Sequence, residues 1–92
     1  MVAPGDGYAQ AVRCLEIVGA ALTELGAGFS DVIRTRMFVT DVSRWEEFGR
    51  AHREAFGAHP PATTMVQVGG LIDPAMLVEI EADAYRPGVG KA

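Results

Sequence analysis

Pro61-Ala62-Thr63-Thr64-Met65-Val66-Gln67-Val68 and, one short loop later, Leu77-Val78-Glu79-Ile80-Glu81-Ala82 decide how this chain is read. Both stretches alternate with period two, the signature of strands that bury one face and expose the other. On the second, the outward face carries Glu79, Glu81 and, one step on, Asp83. A third alternating run, Val32 to Thr40, sets Ile33, Thr35, Met37 and Val39 on one side and Arg34, Arg36 and Phe38 on the other. A carboxylate row and a basic stripe on neighbouring strands can neutralise one another, because facing side chains interact across a sheet.

The segments around these strands read as helices. Asp6 is placed to cap a helix whose apolar stripe runs Tyr8, Val12, Leu15, Val18, Leu22 and Leu25, and Gly26 offers the left-handed position that ends it. Ser43-Arg44-Trp45-Glu46 has the spacing of a capping box, and Trp45, Phe48, His52, Ala55 and Phe56 form the inward stripe behind it. Gly57 and Pro60-Pro61 terminate this second helix. The order is therefore helix, strand, helix, strand, strand, an α+β sandwich with both helices on one face of the sheet. The other face, with Arg34, Arg36, Phe38, Met65, Gln67, Glu79, Glu81 and Asp83, is left open. Phe38, Met65 and Tyr85 among its charges point to a protein–protein interface rather than a merely solvated surface.

Composition narrows the function classes. Ninety-two residues, about half of them apolar, are read as a single domain over residues 1–92. The net charge of −4 disfavours nucleic acid, whose phosphates require clustered Lys and Arg, and it has the wrong sign for an anionic membrane surface. One cysteine, Cys14, excludes an internal disulfide and a cysteine-based metal cluster, and no other metal-ligand spacing occurs. Without a membrane-length apolar run or a signal-peptide pattern, the expectation is a cytoplasmic protein. His52 reads as a hydrogen-bonded core or boundary residue, His59 as a loop residue. Glu81 reads as an ion-pair partner in the sheet or an oligomer. Glu79 has a second reading, as a general base that positions water.

Phe29 to Asp41, Pro61 to Val68 and Leu77 to Ala82 together resemble the YjgF/RidA family of reactive-intermediate deaminases, also labelled endoribonuclease L-PSP. The resemblance spans Tyr8 to Tyr85. It implies a chorismate-mutase-like fold, a homotrimer with a central barrel of sheets, and clefts for a small-molecule ligand between subunits. It also implies hydrolysis of enamines and imines to 2-keto acids and ammonia with no metal or organic cofactor. Glu79 matches the family carboxylate that positions water. Thr63 stands where active deaminases carry an arginine that clamps the substrate carboxylate, so Thr63, Thr64 and Arg36 are the residues expected to contact substrate. The chain also begins near the first helix, without the strands that precede it in the family. That implies an unpaired edge beside the Glu79 strand and leaves room for a non-catalytic ligand-binding or structural oligomer. RNA cleavage fits poorly with the acidic charge.

Overall fold

The computed structural model describes residues 4–87. Within them run α1 (Gly7–Glu24), a short 3-10 turn (Phe29–Asp31), β1 (Val32–Val39), a second such turn (Val42–Arg44), α2 (Trp45–Phe56), β2 (Ala62–Gln67) and β3 (Val78–Ala84). This is the expected α+β order, with both helices packed on one side of a three-stranded sheet.

Asp6 caps α1 as its position predicts, its side chain accepting from the Ala9 N–H at 2.9 Å. The chain leaves the helix through Gly26 at φ +81°, a conformation other residues reach only with strain. Leu15 and Leu22 are buried, whereas Leu25 lies beyond the last turn and is 63% exposed. The start of α2 departs from the expected capping box. Asp41 accepts from both the N–H and the hydroxyl of Ser43, at 3.0 and 2.6 Å, so the serine oxygen is a donor to a carboxylate instead of a cap. The helix begins after this turn, and Trp45 stays half exposed rather than joining the inward stripe. Phe48, Ala51, His52 and Phe56 do face inward.

The strand order is β2-β1-β3. The alternating segments 61–68 and 77–82 do not pair with each other; β1 lies between them, parallel to β2 and antiparallel to β3. The parallel pair requires a crossover, and α2 supplies it. A bulge between Val32 and Arg34 inserts one residue into the β1–β3 ladder. It turns Val32 into the core and leaves Ile33 59% exposed, against the simple alternation that put Ile33 inside.

From Arg34 onward the alternation holds, and the core forms where Met37, Val39 and Val78 meet Leu15, Phe48 and Phe56. Burying these side chains is the main stabilisation available to so small a sheet, worth about 1.5–3 kcal/mol for each large residue. Gln10, one of the few buried polar residues, bridges two backbone groups ahead of β3. Its amide donates to the Ala75 carbonyl at 3.0 Å and accepts from the Leu77 N–H at 2.8 Å.

Candidate functional site

Register assigns the faces. On the parallel β2 the partners are Arg36 with Thr64 and Phe38 with Val66; on the antiparallel β3 they are Arg36 with Glu81 and Phe38 with Glu79. The open face therefore carries Arg34, Arg36, Phe38, Thr64, Val66, Glu79, Glu81 and Asp83. Met65 packs against the core cluster, and Gln67 is the register partner of the buried Val39. Both belong to the helix side, one residue out of phase with the sequence expectation.

The carboxylate row is divided by one arginine. Arg36 Nε donates to Glu81 at 2.9 Å and its Nη1 to Asp83 at 3.3 Å. The hydrogen bond to Glu81 and then the charge of Asp83 hold the Arg36 guanidinium above its ordinary range. Glu79 is different. It is exposed, and no hydrogen bond or ion pair holds it among the described residues. Its charge nevertheless reaches Cys14 on α1. Burial, with Glu79 second, raises the Cys14 thiol above its usual value, while the sulfur points at the Val78 carbonyl at 3.9 Å. Arg34, four residues along β1 from the partner of Glu79, makes no ion pair among the described residues either. Its register partner Asp83 is turned to Arg36.

Thr63 and Thr64 are adjacent in sequence but serve opposite faces. Thr64 stands beside Arg36 on the open face. Thr63 points to the helix side, where its hydroxyl lies 2.9 Å from that of Thr35 and 3.3 Å from His52 Nε2, and donates to the Pro61 carbonyl at 3.2 Å. Thr35 is completely buried and completes the group with a 2.8 Å bond to His52 Nε2. Desolvation lowers the His52 pKa, favouring the neutral ring. Of the expected site residues, the structure thus groups Glu79, Thr64 and Arg36 on one face and places Thr63 on the other. Thr35 is the polar group that sequence reasoning passed over as a strand residue. The parallel register of β1 and β2, had it been known, would have shown Thr35 beside Thr63.

No group of three or more His, Cys, Asp or Glu among the described residues is arranged to hold a metal ion. No helix there is long and apolar enough to cross a membrane. A cavity of about 250 Å³ opens between α1 and α2, floored by Val12, Leu15, Phe29 and Ala51. It takes in none of the expected site residues.

A sequence model of the family described as Endoribonuclease L-PSP matches residues 1–86. An uncharacterized protein of Streptomyces coelicolor is 39% identical over 85 residues, which cover 92% of this chain and 63% of that protein. A protein of Escherichia coli named as a candidate reactive intermediate deaminase, TdcF, is 33% identical over 86 residues, covering 90% of this chain and 66% of its own length. This chain thus spans slightly less than two thirds of these relatives. Among solved structures, a Mycobacterium tuberculosis member of the YjgF/YER057c/UK114 family superposes with a TM-score of 0.84 at 52% identity, over 86% of this chain and 67% of that one. A Pseudomonas aeruginosa protein of unknown function gives 0.84 at 36% identity, over 91% and 60%. With a sheet and helices that superpose on these structures and a family match over nearly its whole length, the chain belongs to the Endoribonuclease L-PSP family, the YjgF/UK114 group.

Proposed function

We propose that this chain binds a small imine- or enamine-type metabolite in the cytosol, at a cleft completed by further copies of itself in a homotrimer, and hydrolyses it with water held by Glu79. The observation that carries this reading is the division of the carboxylate row. Arg36 engages Glu81 and Asp83, whereas Glu79 has no hydrogen-bond or ion-pair partner among the described residues and keeps its lone pairs for water. In the reaction, a C–O bond forms between that water and the C=N carbon. The C–N bond then breaks, two water protons end on nitrogen, and ammonia leaves behind a carbonyl compound. Thr64 and Arg36 line the same face as Glu79, while Thr63 presents its hydroxyl on the other side of the sheet. A ligand touching both therefore bridges two copies of the chain. The name of the Escherichia coli relative supports this reaction class.

A second reading has its own support. Arg36 is engaged by two carboxylates and Thr63 is uncharged, so neither offers a free cation to a substrate carboxylate. That favours a non-catalytic ligand-binding or structural oligomer. The two are separated by incubating the purified protein with iminopyruvate released by a dehydratase and following ammonia. Faster release that is lost in Glu79→Gln supports hydrolysis, and no acceleration by the wild type refutes it. A monomeric mass in solution refutes the shared cleft.

A further inference from the structure

We propose that Thr35 and Thr63 form a two-hydroxyl proton relay linking the buried ring of His52 to a ligand at Thr63, with His52 as its proton reservoir. The inference rests on the reading that Thr63 contacts the ligand. It adds to that reading the proton donor that an enamine requires before water can attack.

The geometry is a continuous chain. His52 Nε2 and Thr35 Oγ1 are 2.8 Å apart, Thr35 and Thr63 hydroxyls 2.9 Å, and Thr63 reaches the Pro61 carbonyl at 3.2 Å. The direct His52–Thr63 contact, at 3.3 Å, is longer than the path through Thr35. Thr35 has no exposed surface, whereas Thr63 is exposed, so the chain runs from the core to the sheet edge. The Phe56 ring lies tilted against His52 with centroids 4.6 Å apart and restrains the imidazole. A valine at position 35 would fill the same space without burying a hydroxyl, so packing alone does not call for threonine there.

Each hydroxyl has one hydrogen, so the chain has two directions. In the outward one, Nε2–H donates to Thr35, Thr35 to Thr63, and Thr63 to the Pro61 carbonyl or a ligand. In the inward one, Thr35 donates to an unprotonated Nε2 and the ring carries its proton on Nδ1. Among the described residues no hydrogen bond engages Nδ1 and no solvent-shielded side-chain nitrogen or oxygen lacks a partner, which leaves Nδ1 with surface open to solvent. The ring can therefore gain a proton at Nδ1 as it releases one from Nε2, and is neutral before and after. For an enamine, the C=C electron pair takes the Thr63 proton and leaves an iminium. Thr63 is refilled from Thr35, Thr35 from Nε2, and solvent supplies one proton to Nδ1. The iminium is the species that the Glu79-held water attacks.

The test is nitrogen-15 NMR of the His52 ring at neutral pH, in the wild type and in Thr63→Val. In the wild type the Nε2–H form should be populated. Valine at 63 cannot accept the Thr35 hydrogen, which must then go to Nε2, so the variant ring should lock as the Nδ1–H tautomer. A wild-type ring already held wholly as Nδ1–H, or an identical tautomer in both proteins, overturns the relay. Turnover supplies a separate arm, using 2-aminobut-2-enoate as enamine and an oxidase-generated imine that needs no carbon protonation. Thr35→Val should slow the enamine about 100-fold more than the imine, the lower end of general-acid effects. Equal slowing of both overturns the role assigned to the relay. A wild type that accelerates neither substrate counts against the hydrolytic function, while the tautomer result still decides the relay.

Discussion

Replacing Gly7 with alanine sets two opposing effects against each other in the first turn of α1. Alanine removes the conformational freedom that glycine has in the unfolded chain, a gain of about 0.5–1 kcal/mol in a helix. The added Cβ, however, would stand 2.8 Å from Glu47 Oε1, 2.8 Å from Phe48 Cε1 and 3.3 Å from Phe48 Cζ. Neither neighbour can readily withdraw. Phe48 is wholly buried, and Glu47 Oε1 accepts from the Gly7 N–H at 3.1 Å and from Arg44 at 2.7 Å. Overpacking of this kind costs about 1–3 kcal/mol, and losing the backbone bond to Glu47 adds about 1 kcal/mol. The clash wins, with a net destabilisation of about 2 kcal/mol, or roughly 10 °C in Tm for a chain of this length. Urea and thermal unfolding at fixed protein concentration would measure it. Repeating the substitution in a Phe48→Leu background removes the ring atoms and should recover part of the loss. A Gly7→Ala protein as stable as the wild type, or a penalty unchanged in the Phe48→Leu background, would refute the reasoning.

Three further outcomes are expected. Because burial lowers the His52 pKa, the unfolded chain, near 6.5, binds more protons than the native one just below that pH. Stability from this group is complete above about pH 6.5 and falls on acidification toward the native pKa, so the urea midpoint of His52→Gln should lose less than the wild type between about pH 7 and pH 5. Arg36→Gln should leave a monomer nearly as stable as before, since its pairs with Glu81 and Asp83 are half exposed, but should weaken any oligomer that buries the face; size-exclusion profiles at two protein concentrations distinguish the cases. Cys14, with its thiol raised by burial and by Glu79, should react with a disulfide reagent more slowly than a free model thiol in native conditions, and at the model rate in urea.

Much of this fold is legible in the sequence because its cues are local. Asp6, Gly26 and Gly57 mark helix ends by their own backbone chemistry, and the alternation in β1 and β3 separates Met37 and Val39 from Arg36, and Val78 from Glu79. The misreadings share a physical cause, competition from a neighbour that sequence spacing does not weigh. Asp41 outbids Ser43 as an acceptor. The bulge reverses Val32 and Ile33. Met65 and Gln67 lie on the face opposite to the one their spacing suggests because β2 has no strongly apolar residue at its start to fix its phase, and only pairing with β1 settles it. The candidate site was legible in kind but not in arrangement. A row of three carboxylates is visible as letters, yet which one Arg36 leaves unpaired depends on register across β1 and β3. Likewise, His52 and Thr35 are seventeen positions apart and reveal themselves as partners only once α2 has crossed the sheet.

The bulge at the start of β1 has a consequence for how this sequence can vary in length. Ile33 is an extra residue between two positions that both face the core, Val32 and Thr35 being separated by one more step than alternation allows. Removing it would restore a regular strand and leave every later side chain on its own face. One residue lost or gained between Arg34 and Val39 would have the opposite effect, exchanging the faces so that Arg36 turns toward the helices and Met37 toward the open side. The strand thus tolerates a change of length at its entry and nowhere along the stretch that positions Arg36 against Glu81 and Thr35 against His52.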